Sequence, residues 1–188
     1  AYDPAFAFEL GAIIEEGLDR MYPDGSIEGE DVFYYITVYN ENYEQPSQPD
    51  HVDNRDIISG LYKFDDGPDL GDDAHRATLL FSGPSYLAAK EAQTILAEQY
   101  NVAAELWSVT SYKRLCEDAI NVQRRNRLNP LGERLVPMVT SKLQGSEGPI
   151  IAVSDWMAGV VGQINRWTPR PMSVLGTDGF GRSDTREA

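Results

Sequence analysis

This 188-residue chain is rich in carboxylates and poor in bases: 30 Asp and Glu against 16 Lys and Arg, with two His and one Cys. Histidine is the commonest side chain for moving protons at neutral pH. His51 and His75 both fall outside the stretches patterned as core, so a complete acid–base site is not expected within this chain. The best-placed polar cluster is Asn40-Glu41-Asn42-Tyr43, at the end of an apolar run. Such a cluster serves either a ligand or the backbone of its own loop. Asp65, Asp66, Asp69, Asp72 and Asp73 alternate with Gly67, Pro68 and Gly71. That stretch lacks the order and the terminal bidentate Glu of an EF-hand, so a solvated acidic loop is expected, and no metal site. Arg124, Arg125 and Arg127 form a basic knot, fit either to grip an external anion or to pair with the chain's own acids. Cys116 sits in a helical pattern and reads as a structural thiol.

The last stretch, Leu175 to Glu187, crowds Gly176, Gly179 and Gly181 with Asp178, Arg182, Asp184 and Arg186. A glycine-rich polar loop after an apolar run is where α/β domains place sites and interfaces. It is not a dinucleotide fingerprint, because the glycine required at 178 is Asp. A phosphate-cradling G-x-x-x-x-G-K-[ST] loop, a G-x-S-x-G nucleophile elbow and an H-E-x-x-H pair are all missing.

Alternating strands and helices must position these groups. Asp3-Pro4 predicts a helix start, with Asp3 as cap, and Phe6, Leu10, Ile13, Ile14, Leu18 and Met21 extend an amphipathic helix over 4–22. Val32 to Tyr39 is β-branched and aromatic, the pattern of a strand buried on both faces. Residues 51–76 read as a linker. A rhythm follows: a strand over 77–81, a turn and cap over 82–85, and a helix over 86–100 with Leu87, Ala88, Ala92, Ile95 and Leu96 facing inward. Next come a strand over 102–109, a helix over 112–125 capped by Thr110-Ser111, and a helix over 134–143 interrupted near Pro137. A strand over 149–153, a helix capped by Asp155 through Trp167, and a strand over 172–175 complete it. The expected fold is α/β, a mostly parallel sheet with helices on both faces.

The net charge of −14 argues against nucleic acid or an anionic membrane as partner. No run approaches the roughly 18 apolar residues of a membrane-spanning helix. A single cysteine excludes an internal disulfide and favours a reducing, cytoplasmic setting.

Several blocks, in order, resemble the homodimeric thiamine diphosphate-dependent decarboxylating component of bacterial pyruvate dehydrogenase complexes. They are Tyr2 to Glu9, Val32 to Thr37 with Asn40 to Tyr43, Gly60 to Lys63, Trp107 to Ser111, Val153 to Met157, and the terminal loop. The resemblance implies that residues 1–50 are the last helix and strand of a pyrimidine-binding domain. It implies further that 77–188 are a transketolase-type C-terminal domain, and that the chain is a segment of a longer enzyme, inactive alone. That enzyme would decarboxylate pyruvate and transfer the acetyl unit to lipoyl groups of a dihydrolipoyl acetyltransferase partner. Thiamine diphosphate and Mg2+ would be held mainly by parts outside this chain, since the family's Gly-Asp-Gly motif and activating Glu are missing. Where the family places a histidine before a proline, this chain has Asn129, a candidate substrate-facing residue that can hydrogen-bond but cannot shuttle a proton at neutral pH. Asn40, Glu41, Tyr43, Asp178 and Arg182 are candidate substrate or interface residues. A non-catalytic assembly module, or an enzyme for another 2-oxo acid, remains open at this point.

Overall fold

The computed structural model describes residues 1–26 and 28–178. Eleven elements run through them: α1 (Ala7–Met21), α2 (Asn54–Ser59), β1 (Tyr62–Asp65), β2 (His75–Phe81), α3 (Tyr86–Tyr100), β3 (Val102–Ser108), α4 (Tyr112–Leu128), α5 (Met138–Leu143), β4 (Ile150–Met157), α6 (Ala158–Gly162) and β5 (Met172–Thr177). The strands form one sheet in the order β1-β3-β2-β4-β5. All neighbours are parallel except β1, which runs against β3. The expected mostly parallel α/β fold is what the chain adopts.

Alternation along β2 explains the layers, because neighbouring side chains on a strand leave by opposite faces. Ala77, Leu79 and Phe81 join Ala89 of α3, Ala104, Leu106 and Phe6 on one face. Leu80 joins Leu115 and Ala119 of α4, Leu143 of α5 and Val161 of α6 on the other. A third cluster, Tyr2, Ala12, Ile13, Val52, Ile57 and Tyr62, ties α1 and α2 to the sheet's β1 edge.

Local differences from the sequence-based expectations have physical causes. The 51–76 stretch holds α2 and β1. Asp53 caps α2 by accepting from the amides of Arg55 and Asp56, and Gly60 ends it in the left-handed region. The Val32–Tyr39 run is not a two-faced buried strand. It makes one isolated parallel bridge, Tyr2 to Ile36, and leaves Phe33 and Val38 mostly exposed. Strand composition without a full-length partner strand gives only an extended segment. On α3 the inward face is Ala89 and Gln93 rather than Leu87 and Ile95, because Gln93 turns in to donate Nε2 to the Ala104 carbonyl at 2.8 Å. Residues 134–136 stay out of α5, since a residue preceding proline avoids helical backbone and Pro137 becomes the cap position. Asp155 caps no helix: it lies inside β4, and its carbonyl accepts from Thr177 Oγ1 at 2.8 Å. Gly176 sits beside this irregular pairing, where any Cβ would stand 2.7 Å from the Trp156 carbonyl oxygen.

Candidate functional site: the crevice beside β2

After β2 the chain crosses to β3 on one side, and it later returns to β4 on the other. Such a reversal leaves a crevice at the carboxyl ends of the strands, where open α/β sheets bind ligands. Ser82 and Ser154 meet there through their hydroxyls at 2.8 Å, and Ser85 Oγ donates to the carbonyls of Ser82 at 2.5 Å and Val153 at 3.0 Å.

The occupant of this crevice is the chain's own first segment. The Asp3 amide donates to the Thr110 carbonyl at 2.7 Å, and the Gly83 amide donates to the Asp3 carbonyl at 3.1 Å. Ser111 Oγ donates to the Ala1 carbonyl at 2.6 Å. Asp3 Oδ1 accepts from Thr37 Oγ1 and the Tyr39 hydroxyl, both at 2.5 Å. Its other oxygen, Oδ2, is buried with no hydrogen-bond partner among the described residues. Burial, then the bond to Asp3, keeps the Tyr39 hydroxyl protonated well above the usual phenol range. Gly83 has φ +52, and a Cβ on it would stand 2.9 Å from the Tyr39 ring and 3.0 Å from Asp3 Oδ1. Only glycine fits so close an approach at that backbone angle.

Glu9, on the first turn of α1, has no solvent exposure. One carboxylate oxygen accepts from the Tyr62 hydroxyl at 2.6 Å and Ser108 Oγ at 2.5 Å; the other accepts from the amides of Ala5 at 2.5 Å and Phe6 at 3.0 Å. Burial pushes its carboxyl above the ordinary carboxylate range despite these four donors. Glu9, not Asp3, thus satisfies the free amides at the helix start. Phe6 beside it is fully enclosed by Phe8, Phe64, Phe81 and Tyr86, with ring centroids 4.7–5.9 Å away.

This arrangement joins rather than reacts. Glu9 is saturated with donors from the same chain, and the free oxygen of Asp3 would repel a phosphate rather than hold it. The Gly83 amide that would greet an anion already serves the Asp3 carbonyl. The residues present therefore do not fit thiamine diphosphate or its metal. Among the described residues no cluster of three or more metal-ligating side chains occurs.

The candidate residues named from sequence are dispersed. Tyr43 belongs to the crevice: its hydroxyl donates to the Ala5 carbonyl, and its ring lies 6.3 Å from Tyr86. Asn40 is exposed and Glu41 half-buried at the same end. Asn129 follows α4, whose 17 residues run away from that end. At 1.5 Å per residue the helix is about 25 Å long, and Asn129 stands at its far end. There it is exposed and donates Nδ2 to the Arg125 carbonyl at 3.1 Å. Asp178 is exposed past β5; Arg182, Asp184 and Arg186 lie outside the described residues. The acidic loop satisfies itself: Asp65 and Asp69 accept from the Gly67 and Gly71 amides, and Lys90 pairs with Asp65 at 2.9 Å. Sequence reading missed Glu9, Tyr39 and Ser108. A Glu three residues past the helix boundary was the one local signal for the first.

Two family models meet across this crevice. Residues 1–46 match the middle domain of the pyruvate dehydrogenase E1 component, and residues 60–188 match the transketolase-like TK C-terminal domain. Among curated proteins, the pyruvate dehydrogenase E1 component of Mycolicibacterium smegmatis is 44% identical over 187 residues, covering 100% of this chain and 20% of the relative. That of Mycobacterium tuberculosis is 43% identical over 188 residues, and that of Escherichia coli K12 38% over 188, each again with 100% of this chain and 20% of the relative covered. The chain thus spans about a fifth of the length of the relatives it matches.

Proposed function

The chain belongs to the transketolase-like C-terminal domain family, in the form carried by pyruvate dehydrogenase E1 components, and from that premise we propose its role. It is the part of a pyruvate-decarboxylating E1 enzyme that fastens the end of the middle domain to the C-terminal domain. The observation that carries this reading is the plugged crevice. Asp3, Glu9 and Tyr39, from the middle-domain match, meet Tyr62, Gly83, Ser108 and Thr110, from the C-terminal match.

The whole enzyme decarboxylates pyruvate and passes the acetyl unit to lipoyl groups of an acyltransferase partner, as a homodimer in the cytoplasm. Thiamine diphosphate would supply the electron sink for that chemistry, with Mg2+ neutralising its diphosphate, and both would be held mainly by other parts of the enzyme. This chain's share is to fix the geometry of the domain junction. Steady-state assays of the full-length protein test the activity: pyruvate should be preferred over longer 2-oxo acids, and a preference for a longer acid overturns the substrate assignment. Calorimetry of the 188-residue chain with thiamine diphosphate and Mg2+ tests the division of labour. No binding is expected, and a stoichiometric heat overturns it.

A further inference from the structure

Pro130 ends α4, because a residue before proline avoids helical backbone, and Asn129 stands at φ −125, ψ +67. The chain then swings out and comes back beside the helix it has left. Two α4 side chains catch the returning segment. Asp118 accepts from the Met138 amide at 2.7 Å. About two turns further along α4, Asn126 holds Leu135.

Asn126 holds it twice. Its Nδ2 donates to the Leu135 carbonyl at 2.8 Å, and its Oδ1 accepts from the Leu135 amide at 2.9 Å. One planar carboxamide thus answers both backbone groups of one residue, as a neighbouring strand would. Only Asn and Gln carry such a group; Asp offers acceptors alone and Ala offers nothing. Between residues 123 and 134, Asn126 is also the one residue that is not exposed. Inside the loop, the Gly132 amide closes a turn onto the Asn129 carbonyl at 3.1 Å. Asn129 bonds back to the Arg125 carbonyl through its backbone amide at 3.0 Å and Nδ2 at 3.1 Å. Those bonds shape the turn; the clamp on Leu135 fixes where the turn stands against α4. Asn126 and Asn129 line one cleft of about 470 Å³.

We propose that Asn126 is a positioning residue for Asn129, resting on pyruvate decarboxylation by the whole enzyme and on Asn129 as a substrate-facing residue of it. Asn126 acts through Asn129 rather than on the substrate. Its carboxamide ties the far side of the loop to the end of α4, so Asn129 is presented in one place instead of many. A group that binds substrate needs this support from its neighbours, and a misplacement of about 1 Å costs up to about a hundredfold in rate.

The test is kcat/KM for pyruvate in the full-length enzyme: wild type, Asn126→Ala, Asn129→Leu and the double variant, with melting temperatures alongside. Asn126→Ala should lower kcat/KM about tenfold. In the Asn129→Leu background it should lower it no further. A merely structural clamp would show no such dependence, since its loss would recur in full in either background. Should Asn126→Ala lower the melting temperature, Asn126→Asp, which keeps the acceptor and loses the donor, carries the same cycle. Full activity of the Asn126 variants, or the same loss with and without Asn129, overturns the proposal and leaves the role of Asn129 standing. Kinetics unchanged in Asn129→Leu overturn the reading of Asn129 and the proposal with it. No turnover of pyruvate by the wild type overturns the proposed activity, and both with it.

Discussion

Replacing Glu9 with glutamine isolates its charge from its shape. The amide oxygen can accept from the Ala5 and Phe6 amides, while its NH2 faces the Tyr62 and Ser108 hydroxyls, which rotate to accept. All four contacts survive, and only the ionisation is lost. Burial raises the wild-type carboxyl above its ordinary range in the folded state. Between the unfolded and folded values the folded chain therefore binds more protons than the unfolded chain. The contribution of Glu9 to stability is full at low pH and falls as pH rises through that window. The Glu9→Gln variant has no such slope from this position. Its stability relative to wild type should thus climb with pH, by about 1.4 kcal/mol per unit inside the window, and level off above it. Urea unfolding of both proteins from about pH 5 to pH 8 measures this difference, and perturbations at the other carboxylates cancel in the comparison. Glu9→Ala is the contrasting change. It carries the same pH slope relative to wild type, because the carboxyl is lost there too, but it also strands the two buried amides at about 1–3 kcal/mol each, an added loss of about 2–6 kcal/mol that does not depend on pH. A Glu9→Gln difference that stays flat with pH, or declines, would refute the assignment of a raised carboxyl in the crevice.

Three further outcomes are expected. Gly83→Val should destabilise the chain by about 2–3 kcal/mol, from a branched side chain at φ +52 and the clash with Tyr39. In a thermal or urea double-mutant cycle, Tyr39→Ala should recover part of that loss, and strict additivity would argue against the contact. Lys142→Met should cost about 1–3 kcal/mol by urea unfolding, because Lys142 Nζ donates to Asp56 at 2.8 Å, Ser59 at 3.1 Å and the Leu61 carbonyl at 2.7 Å; an unchanged midpoint would contradict it. In the full-length enzyme, Asn129→His should change turnover modestly and Asn129→Leu should lower it, and kinetics unchanged in the Leu variant would remove this position from the substrate's reach.

The fold was legible wherever local rules decide it. Tyr86–Tyr100 carries its own turn and helical period, so its helix bounds match those read from sequence; Ser111 caps α4 through the Arg114 amide, as its position announces. What local pattern could not show was the partner. Val32 to Tyr39 has strand composition, but pairing depends on chain brought from elsewhere, and the described residues offer only Tyr2. The β1 strand is four residues long beside a Gly- and Asp-rich loop, too short to stand out from its flanks. The crevice was illegible for the same reason. The side-chain partners of Asp3 lie 34 and 36 residues away, and those of Glu9 at Tyr62 and Ser108 lie 53 and 99 away. No window of sequence contains both ends of such bonds.

Those separations also set an order of events during synthesis. Phe6 and Glu9 leave the ribosome long before Ser108, 99 residues downstream of Glu9, and before Ser111, 110 residues beyond Ala1. At about 5–20 residues per second, the first segment waits roughly 5–20 s for the sheet that will receive it. Through that interval a large aromatic side chain and a carboxylate meant for a dry interior stand in water without their partners. Closing contacts of such long sequence separation is slow. The plug that makes the finished junction firm therefore has, among the described residues, the contacts that close over the longest stretch of chain, and it stands exposed until they do.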